Sequence, residues 1–397
     1  LHVRSRRQRQ MCIRDSSTCF NPYKGGVERV TDILTKAFLN KGHNVFYLNL
    51  YKQKEPQNYK SPVLIYFFPE EKIDSAINRK FYHEFLLEHH VDFVINQSGN
   101  FEDSKLFLDV PNKWIKTISV LHSDPLLNYR YLSKEVLCLR NNKKIEYLKL
   151  LLRFILFPKI KRDYIRRRKV HFDYLFCHTD SVCILSRTHI NSINKVYNGN
   201  EKEKICLIAN PCAFLPDCGT SKKRQLLYVG RITKGEKRPD RLLKIWSFLY
   251  KKYPKWNLMI VGDGEQRPIL ERKAKNMERV NFVGFSDPVP YYKESAIFCM
   301  TSNFEGFPMV LPEAMSFGVV PLAFDSFPAV SDIIIDNKNG FLIPPFSIKQ
   351  YVKKIEILIN NDSIRQEMAQ EGVKMVQNYS VENIVRQWEI LFYRLKK

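Results

Sequence analysis

Apolar residues recur along this chain in short runs, and between the runs they are spaced three or four apart. The runs are typical of buried strands, and the wider spacing is typical of helices with one buried face. In the first half the runs are His43–Leu50, Val63–Phe68, Val91–Asn96, Thr117–Leu121, Tyr174–His178 and Ile205–Ala209. In the second half they are Leu226–Val229, Leu258–Val261, Val280–Val283, Ile297–Met300 and Val319–Phe324. This alternation predicts an α/β protein with doubly wound parallel sheets.

A segment marked by proline and cysteine, residues 211–221, interrupts the alternation. Such a segment is typical of an interdomain linker, and a chain of 397 residues suits two domains. We therefore predict an N-terminal Rossmann-like domain over residues 17–210 and a C-terminal one over residues 222–378. Residues 379–397 predict a helix with one apolar face that packs back towards the N-terminal domain; its residues are Ile384, Trp388, Leu391 and Phe392.

The first sixteen residues do not fit this scheme. A helix with a regularly spaced apolar face begins at Gly25–Gly26, and a buried strand of four to eight apolar residues should precede it. Residues 1–16 instead hold five arginines and no such run. The segment resembles translated sequencing-adapter read-through, so we interpret it as non-native, with the first strand missing. A genuine basic arm is the alternative.

Composition narrows the class of protein. No run of 18 or more uncharged apolar residues occurs, which predicts no membrane-spanning helix, and the start of the chain lacks the layout of a signal peptide. The nine cysteines are scattered without a Cys-x-x-Cys pair. Several of them, namely Cys177, Cys183, Cys206 and Cys299, fall in predicted strands. We therefore expect a cytoplasmic protein without disulfides.

The net charge of +23 is concentrated in one segment. Residues 130–169 hold fourteen lysines and arginines against three acidic residues. The apolar stretch Ile145–Phe157 lies inside this segment, and a cluster of cations follows it at Lys159, Lys161, Arg162, Arg166, Arg167, Arg168 and Lys169. The pattern predicts a helix that rests on an anionic membrane, on its inner face. A solvated basic face of a core helix is the alternative. Nucleic acid is not expected, because no nucleic-acid-binding module is visible.

Two glutamates, Glu305 and Glu313, are the first candidates for chemistry. Glu305 follows the predicted strand Ile297–Met300, and Glu313 lies on the first turn of a predicted helix, residues 311–317. The carboxyl ends of strands in an open α/β sheet are where such folds bind ligands. Free amides at a helix N-terminus suit a phosphate, and carboxylates suit hydroxyl groups. This combination favours a sugar nucleotide, although two glutamates at this spacing also occur by chance.

Two cations and three glycines add to this site. Arg231 and Lys237 follow the predicted strand that ends at Gly230, and at that position they are able to neutralise a diphosphate. Gly25 and Gly26 precede a helix and allow a phosphate to approach the backbone closely. Solvated loop cations and an ordinary glycine turn are the structural alternatives.

The order of these motifs resembles glycosyltransferase family 4, whose members are retaining enzymes with the GT-B fold. The resemblance rests on Gly230–Arg231, Lys237, Val261-Gly-Asp-Gly264, Val283-Gly-Phe285 and Glu305-x7-Glu313, together with Gly25-Gly-Val-Glu-Arg29. It covers roughly residues 21–397. It implies two Rossmann-like domains that face each other across a cleft, the N-terminal one binding the acceptor and the C-terminal one the sugar nucleotide.

The resemblance also implies a role for each matching residue. Arg231 and Lys237 would hold the diphosphate, helped by Gly230, by the Gly25–Gly26 loop and by the backbone of Gly306, Phe307, Pro308, Met309 and Val310. Glu313 would bind the ribose, Glu305 the transferred sugar, and Val283 would line the base pocket. His122 matches the histidine that the family places near the transferred sugar.

From this resemblance we expect a retaining glycosyltransferase that uses a UDP- or GDP-sugar. The transferred group would be a hexose or N-acetylhexosamine, and the acceptor a lipid-linked or surface-polysaccharide glycan. No Asp-x-Asp occurs in the chain, which fits a site without a catalytic metal, and no cofactor is expected. A sugar-nucleotide epimerase and a non-catalytic binding protein are the alternatives.

Overall fold

The computed structural model describes residues 10–14, 22, 25–50, 60–129, 144–217, 219 and 221–397. The chain divides into two compact units. The first comprises Leu1–Ile208 and Val385–Lys397, and the second comprises Ala209–Ile384. Each unit is built on one parallel sheet. The predicted α/β class with two doubly wound sheets is therefore confirmed. The predicted linker, residues 211–221, begins just after the point where the second unit starts.

The first unit contains a seven-stranded sheet in which all neighbours pair in parallel. The strand order is β3-β2-β1-β4-β5-β6-β7. The strands are β1 (Gln10–Arg14), β2 (Asn44–Asn49), β3 (Ile65–Phe67), β4 (Phe93–Asn96), β5 (Lys116–Leu121), β6 (Ser181–Ile184) and β7 (Ile205–Leu207).

Helices connect these strands and cover the sheet. They are α1 (Gly26–Asn40), α2 (Ala76–Glu88), α3 (Lys144–His178) and α4 (His189–Val196), with 3₁₀ turns at Glu102–Leu108 and Glu201–Lys204. Helix α1 buries Val30, Leu34 and Phe38, which recur every four residues and so lie on one face. Ser75 caps α2 by accepting a hydrogen bond from the amide of Asn78.

The second unit contains a six-stranded parallel sheet with the order β10-β9-β8-β11-β12-β13. Its strands are β8 (Lys223–Val229), β9 (Asn257–Val261), β10 (Val280–Gly284), β11 (Ser295–Met300), β12 (Val320–Phe324) and β13 (Phe341–Ile343). The helices are α5 (Pro239–Leu249), α6 (Arg267–Ala274), α7 (Val289–Glu294), α8 (Val310–Ser316), α9 (Val330–Ile333), α10 (Ile348–Asn360) and α11 (Asp362–Val376). Strand β11 is buried at all six residues, as expected for a central strand with both faces covered.

The last helix, α12 (Val381–Leu395), begins in the second unit and ends in the first. Its apolar face packs on the first unit. The ring of Phe392 lies 4.6 Å from that of Phe93 and 5.7 Å from that of Phe38. The Lys396 ammonium then pairs with Asp92 at 2.8 Å.

Two predictions about strands were wrong. A strand does precede α1: β1 pairs with β2 on one side and β4 on the other. It contains three consecutive apolar residues, Met11 to Ile13, which is shorter than the run we required. Of the predicted adapter-derived segment, residues 1–9, 15 and 16 lie outside the described residues, and the strand does not test its origin.

The predicted strand Tyr174–His178 is the last part of α3. Phe172, Leu175 and Phe176 are fully buried, with a spacing that matches one helix face. The strand follows instead at Ser181–Ile184. Cys177 is accordingly exposed on the helix, whereas Cys183 and Cys299 are buried in strands.

Candidate functional site

The strand order of the second sheet reverses between β8 and β11. From β8 the chain proceeds outward to β9 and β10, and from β11 it proceeds the other way to β12 and β13. Crevices at such reversal points, beyond the carboxyl ends of the strands, are the usual binding sites of open α/β sheets. The segments that follow β8 and β11 contain Arg231, Lys237 and Glu305, which the sequence placed on this edge.

Lys237 and Glu305 form a direct ion pair at this reversal point. The Lys237 ammonium lies 2.7 and 2.6 Å from the two carboxylate oxygens of Glu305. The Ser302 hydroxyl donates a further hydrogen bond to Glu305 at 2.7 Å. Glu305 is 7% exposed and Lys237 is 19% exposed, so this charge pair is largely withdrawn from solvent.

Arg231 lies on the open side of the same loop. Its guanidinium donates a hydrogen bond to the carboxylate of Glu236 at 2.8 Å and is 63% exposed. Glu236 also lies 3.8 Å from the Lys237 ammonium. Each of the two predicted phosphate-binding cations therefore has a carboxylate partner within the protein.

The sequence did not predict the residues that join the two loops. The Asn303 backbone amide donates to the carbonyl of Glu236 at 2.7 Å, and its side-chain amide donates to the carbonyl of Gly235 at 2.5 Å. Arg241 on α5 donates to the Asn303 side-chain oxygen at 2.8 Å. Asn303 lies between a strand end and Glu305, so its polar character there was a usable signal. Arg241 gave none, because it lies on a helix among other cations.

Gly230 and Gly262 follow β8 and β9, where the backbones of two loops approach each other closely. Gly230 has φ of +153°, Gly262 has φ of +131°, and a Cβ atom on Gly262 would lie 2.0 Å from the Gly230 carbonyl oxygen. The loops after β8 and β9 therefore approach each other backbone to backbone at this point. Val283 lies near the end of the edge strand β10, two strands away from β8.

Glu313 lies on the first turn of α8, as predicted. It is 1% exposed, and the hydroxyl of Tyr292 donates to its carboxylate at 3.1 Å. Among the five residues of segment 306–310 whose backbone was expected to bind phosphate, Pro308 has no amide hydrogen. The amide of Met309 already donates to the carbonyl of Phe307 at 2.9 Å. The usable amides in this segment are therefore fewer than the sequence suggested.

The remaining predicted residues belong to the first unit. His122 directly follows β5, and its Nε2 lies 2.6 Å from the side-chain oxygen of Gln97 at the end of β4. Because that oxygen is an acceptor, Nε2 carries the proton and Nδ1 is left as an acceptor. Desolvation lowers the pKa of His122 to about 4, so the ring is neutral at pH 7.

Gly25 and Gly26 lie at the start of α1. Gly25 is the N-cap residue, and a Cβ atom there would lie 1.8 Å from the carboxylate of Glu28. At Gly26 a Cβ atom would meet nothing within 4 Å. The close approach at Gly25 is thus to this chain's own side chain. In the described part of the chain, no three His, Cys, Asp or Glu side chains are grouped so as to hold a metal ion.

The C-terminal unit carries the family match. Residues 219–375 match the family described as Glycosyl transferases group 1. This range contains Arg231, Lys237, Glu305 and Glu313, together with both loops of the strand reversal.

Two curated relatives are described as glycosyltransferases. The chain is 38% identical over 191 residues to an uncharacterized glycosyltransferase of Haemophilus influenzae, covering 47% of this chain and 54% of that protein. It is 29% identical over 246 residues to a Campylobacter jejuni α-1,4-N-acetyl-D-galactosaminyltransferase, covering 60% of this chain and 65% of that protein. The name of the latter gives a diphosphoundecaprenol-linked saccharide as its acceptor. The chain thus spans between half and two thirds of the length of these relatives.

Solved structures extend the likeness to the whole fold. The Anabaena protein HepE, solved in complex with UDP, superposes with a TM-score of 0.72 at 14% identity. The superposition covers 98% of this chain and all of that one. The fold is therefore that of GT-B glycosyltransferases, as the sequence predicted.

Proposed function

We propose that this protein is a retaining glycosyltransferase of family 4. It transfers a hexose or N-acetylhexosamine from a UDP- or GDP-sugar to a lipid-linked or polysaccharide acceptor. The observation that carries this proposal is the Lys237–Glu305 pair at the strand reversal of the second sheet. The family match over the same residues and the glycosyltransferase relatives support it.

The geometry supports a division of roles. Arg231 and Lys237 hold the donor diphosphate. To do so they exchange their ion pairs with Glu236 and Glu305 for contacts with the diphosphate. Glu305 contacts the transferred sugar and Glu313 the ribose, while Val283 lines the base pocket. The backbones of Gly230, Gly25, Gly26 and the segment 306–310 assist at the phosphates. His122, as a neutral imidazole, accepts a hydrogen bond from a sugar hydroxyl through Nδ1.

The proposed reaction needs no nucleophile from the protein. The bond between the anomeric carbon and the diphosphate oxygen breaks, and the acceptor oxygen forms a bond on the same face. The acceptor proton passes to the departing diphosphate. The two cations stabilise the charge that develops on that diphosphate, which is the principal electrostatic demand of the transition state. We propose that they do so without a metal ion or other cofactor.

The test incubates the protein with a panel of UDP- and GDP-sugars and a bacterial lipid extract as acceptor. Transfer is measured as the release of UDP or GDP. We expect acceptor-dependent release and a product with the anomeric configuration of the donor, seen by NMR. Glu305→Ala should abolish transfer, whereas Glu294→Ala, which removes an exposed partner of Lys223, should not. Interconversion of the donor without an acceptor would instead indicate an epimerase.

We further propose that α3 binds an anionic membrane surface. Phe154, Ile155 and Leu156 are 66, 64 and 49% exposed. Exposed cations follow them at Lys159, Arg162, Arg166, Arg167 and Lys169. Apolar residues next to cations are the pattern of helices that insert shallowly among anionic lipids. Residues 130–143 of the predicted membrane-facing segment lie outside the described residues. None of the described helices is both long and apolar enough to cross a bilayer.

The membrane proposal is tested by co-sedimentation with phosphatidylglycerol and phosphatidylcholine vesicles. Replacing Phe154, Ile155 and Leu156 together by serine should release the protein from phosphatidylglycerol vesicles. The matched control is Ile390→Ser, which removes an equally exposed apolar residue from α12. Equal binding by both variants, or no binding of the unaltered protein to either lipid at 0.15 M salt, would refute this proposal.

A further inference from the structure

A cluster of polar residues lies at the carboxyl end of β4, on the segment 97–100. Two residues of α3, one turn apart, contact this segment. Arg168 donates to the carbonyl of Asn100 at 2.7 Å, and the His171 Nε2 donates to the carbonyl of Gly99 at 2.9 Å. The Arg168 guanidinium also lies over the ring of Phe172, 4.9 Å from its centre.

The same segment contacts the residues that follow β5. Asn100 donates from its side-chain amide to the carbonyl of Ser123 at 2.9 Å, and Gln97 accepts from His122 at 2.6 Å. Strand ends β4 and β5 and helix α3 therefore share one set of hydrogen bonds. We call Gln97, Ser98, His122, Arg168 and His171 the Arg168 cluster.

Four buried polar atoms of this cluster have no hydrogen-bond partner among the described residues: the Ser98 hydroxyl, the Arg168 Nε, and the Nδ1 atoms of His122 and His171. Ser98 and His171 are 2 and 1% exposed. More than nine tenths of buried polar groups in proteins are paired, so four unpaired atoms in one cluster indicate a place where another molecule supplies the partners.

Arg168 also lacks a carboxylate in direct contact among the described residues. No carboxylate of the described residues forms an ion pair with it; Glu102 and Asp124 act on it only at longer range. Burial lowers the pKa of Arg168, which means that the guanidinium has lost part of its hydration. A partly desolvated guanidinium without a counter-charge is a strong binding group for a phosphate or a carboxylate.

The unpaired atoms specify the ligand further. Arg168 and Ser98 offer donors, which suit anionic oxygens. Both histidines donate through Nε2, to Gln97 and to the Gly99 carbonyl, so that each Nδ1 is an acceptor. Acceptors of this kind suit the hydroxyl groups of a sugar. The combination therefore fits a saccharide that carries an anionic group.

We propose that the Arg168 cluster is the acceptor subsite, and that the acceptor is a saccharide bearing a phosphate or carboxylate close to the sugar that receives the transferred group. That the bound saccharide is the acceptor rests on the proposed transferase function. The binding itself is measurable without transfer. Arg168 binds the anion and His171 accepts from a hydroxyl of the acceptor, beside His122, whose Nδ1 accepts from the transferred sugar.

Calorimetric titration of the full chain tests the inference with three probes: glucose 1-phosphate, glucuronate and methyl α-glucoside. Each is titrated with UDP at saturation, so that a phosphate-binding site in the second unit is already filled. We expect at least one anionic probe to bind about tenfold more tightly than the uncharged glucoside. Whether the phosphate or the carboxylate gains more identifies the anionic group.

Arg168→Gln should remove this preference, while Arg167→Gln, which alters the exposed neighbouring cation, should retain it. Ser98→Ala is a second variant that is expected to fold normally, because the Ser98 hydroxyl makes no hydrogen bond in the structure. It should leave the unfolding midpoint unchanged and weaken the anionic probe severalfold. A purely structural cluster predicts no change in probe affinity with Ser98→Ala.

Equal affinity for charged and uncharged probes would overturn the inference even if UDP binds normally. Failure of both UDP and GDP to bind would count against the proposed function instead, and the same probes titrated without nucleotide would still report on the Arg168 cluster.

Discussion

The Lys237–Glu305 pair couples stability to the proposed chemistry. Both carboxylate oxygens of Glu305 lie within 2.7 Å of the Lys237 ammonium, and the carboxylate is 7% exposed. Removing one member of a buried ion pair leaves the other charge without compensation, at a cost of about 3–5 kcal/mol when both are fully buried. Lys237 keeps partial contact with solvent, so the cost here is smaller.

We expect Lys237→Met to lower the free energy of unfolding by about 2 kcal/mol, because it leaves the buried Glu305 carboxylate without its counter-ion. The double variant with Glu305→Gln should recover most of that loss while remaining inactive. Urea unfolding of the four proteins at pH 7 measures the coupling. Strictly additive effects of the two substitutions would show that the pair does not stabilise the fold.

Glu236 pairs with Arg231, the residue proposed to hold the donor diphosphate. Its carboxylate pairs with the exposed guanidinium at 2.8 Å, where a diphosphate is proposed to bind. Exposed ion pairs are worth about 0.2–1 kcal/mol, so Glu236→Gln should tighten UDP binding by up to about fivefold. Calorimetry with UDP measures this, with Glu294→Gln as the matched control on another exposed pair. Weaker binding by Glu236→Gln would mean that the carboxylate helps to position Arg231.

His122 makes the first unit sensitive to acid. Its pKa is lowered to about 4 in the folded protein by burial, against about 6.5 in the unfolded chain. The unfolded state therefore binds a proton between these values and the folded state does not. Folding loses stability as the pH falls from about 6.5 to 4, by a total of about 3 kcal/mol. The unfolding midpoint of the unaltered protein should drop more between pH 7.5 and 5 than that of His122→Gln.

At the scale of elements, the contact between the loops after β8 and β9 depends on glycine. A Cβ atom on Gly262 would lie 2.0 Å from a carbonyl oxygen, and its φ of +131° disfavours any side chain. Gly262→Ala should cost about 3 kcal/mol or more and weaken UDP binding through displacement of Arg231. Gly235→Ala in the loop after β8, where a Cβ atom meets nothing within 4 Å, is the control. Thermal unfolding and UDP titration compare the two.

The sequence located the central strand of the second sheet from a short apolar run. The central strand Ser295–Met300 is buried throughout and was found from its apolar run. The prediction at Tyr174–His178 was wrong because a run of four apolar residues, Tyr174–Cys177, fits a buried helix face as well as a strand. Strands β1 and β13 were missed because they contribute only three consecutive apolar residues each.

Within the site, spacing identified the charged residues but not what orients them. Lys237 and Glu305 lie 68 positions apart and meet because their strands are neighbours, which the α/β pattern implies. The hydrogen bonds of Asn303 and Arg241 depend on how the loops fold over one another. No periodicity in the sequence encodes these contacts. The polar side chain of Asn303 after a strand end was the one usable signal, and Arg241 was visible only in the structure.

At the scale of the whole molecule, the first unit depends on a helix encoded at the far end of the chain. Phe392 is fully buried against Phe38 and Phe93. Phe392→Ala should therefore destabilise the first unit by about 3–5 kcal/mol, since it leaves a large cavity. The second unit should still bind UDP. Amide hydrogen exchange measured by segment compares the stability of the two units. Equal loss of protection in both units would contradict a destabilisation confined to the first unit.

The division of the chain also bears on the order in which the protein is made. The second unit, residues 209–384, is continuous, and the ribosome completes it before α12 has fully emerged. The first unit must wait for Val385 and the residues after it, although it contains the earliest strands. Domains fold as units during synthesis. The unit proposed to bind the donor should thus be the first to reach its final structure, while the older half of the nascent chain remains open and available to chaperones.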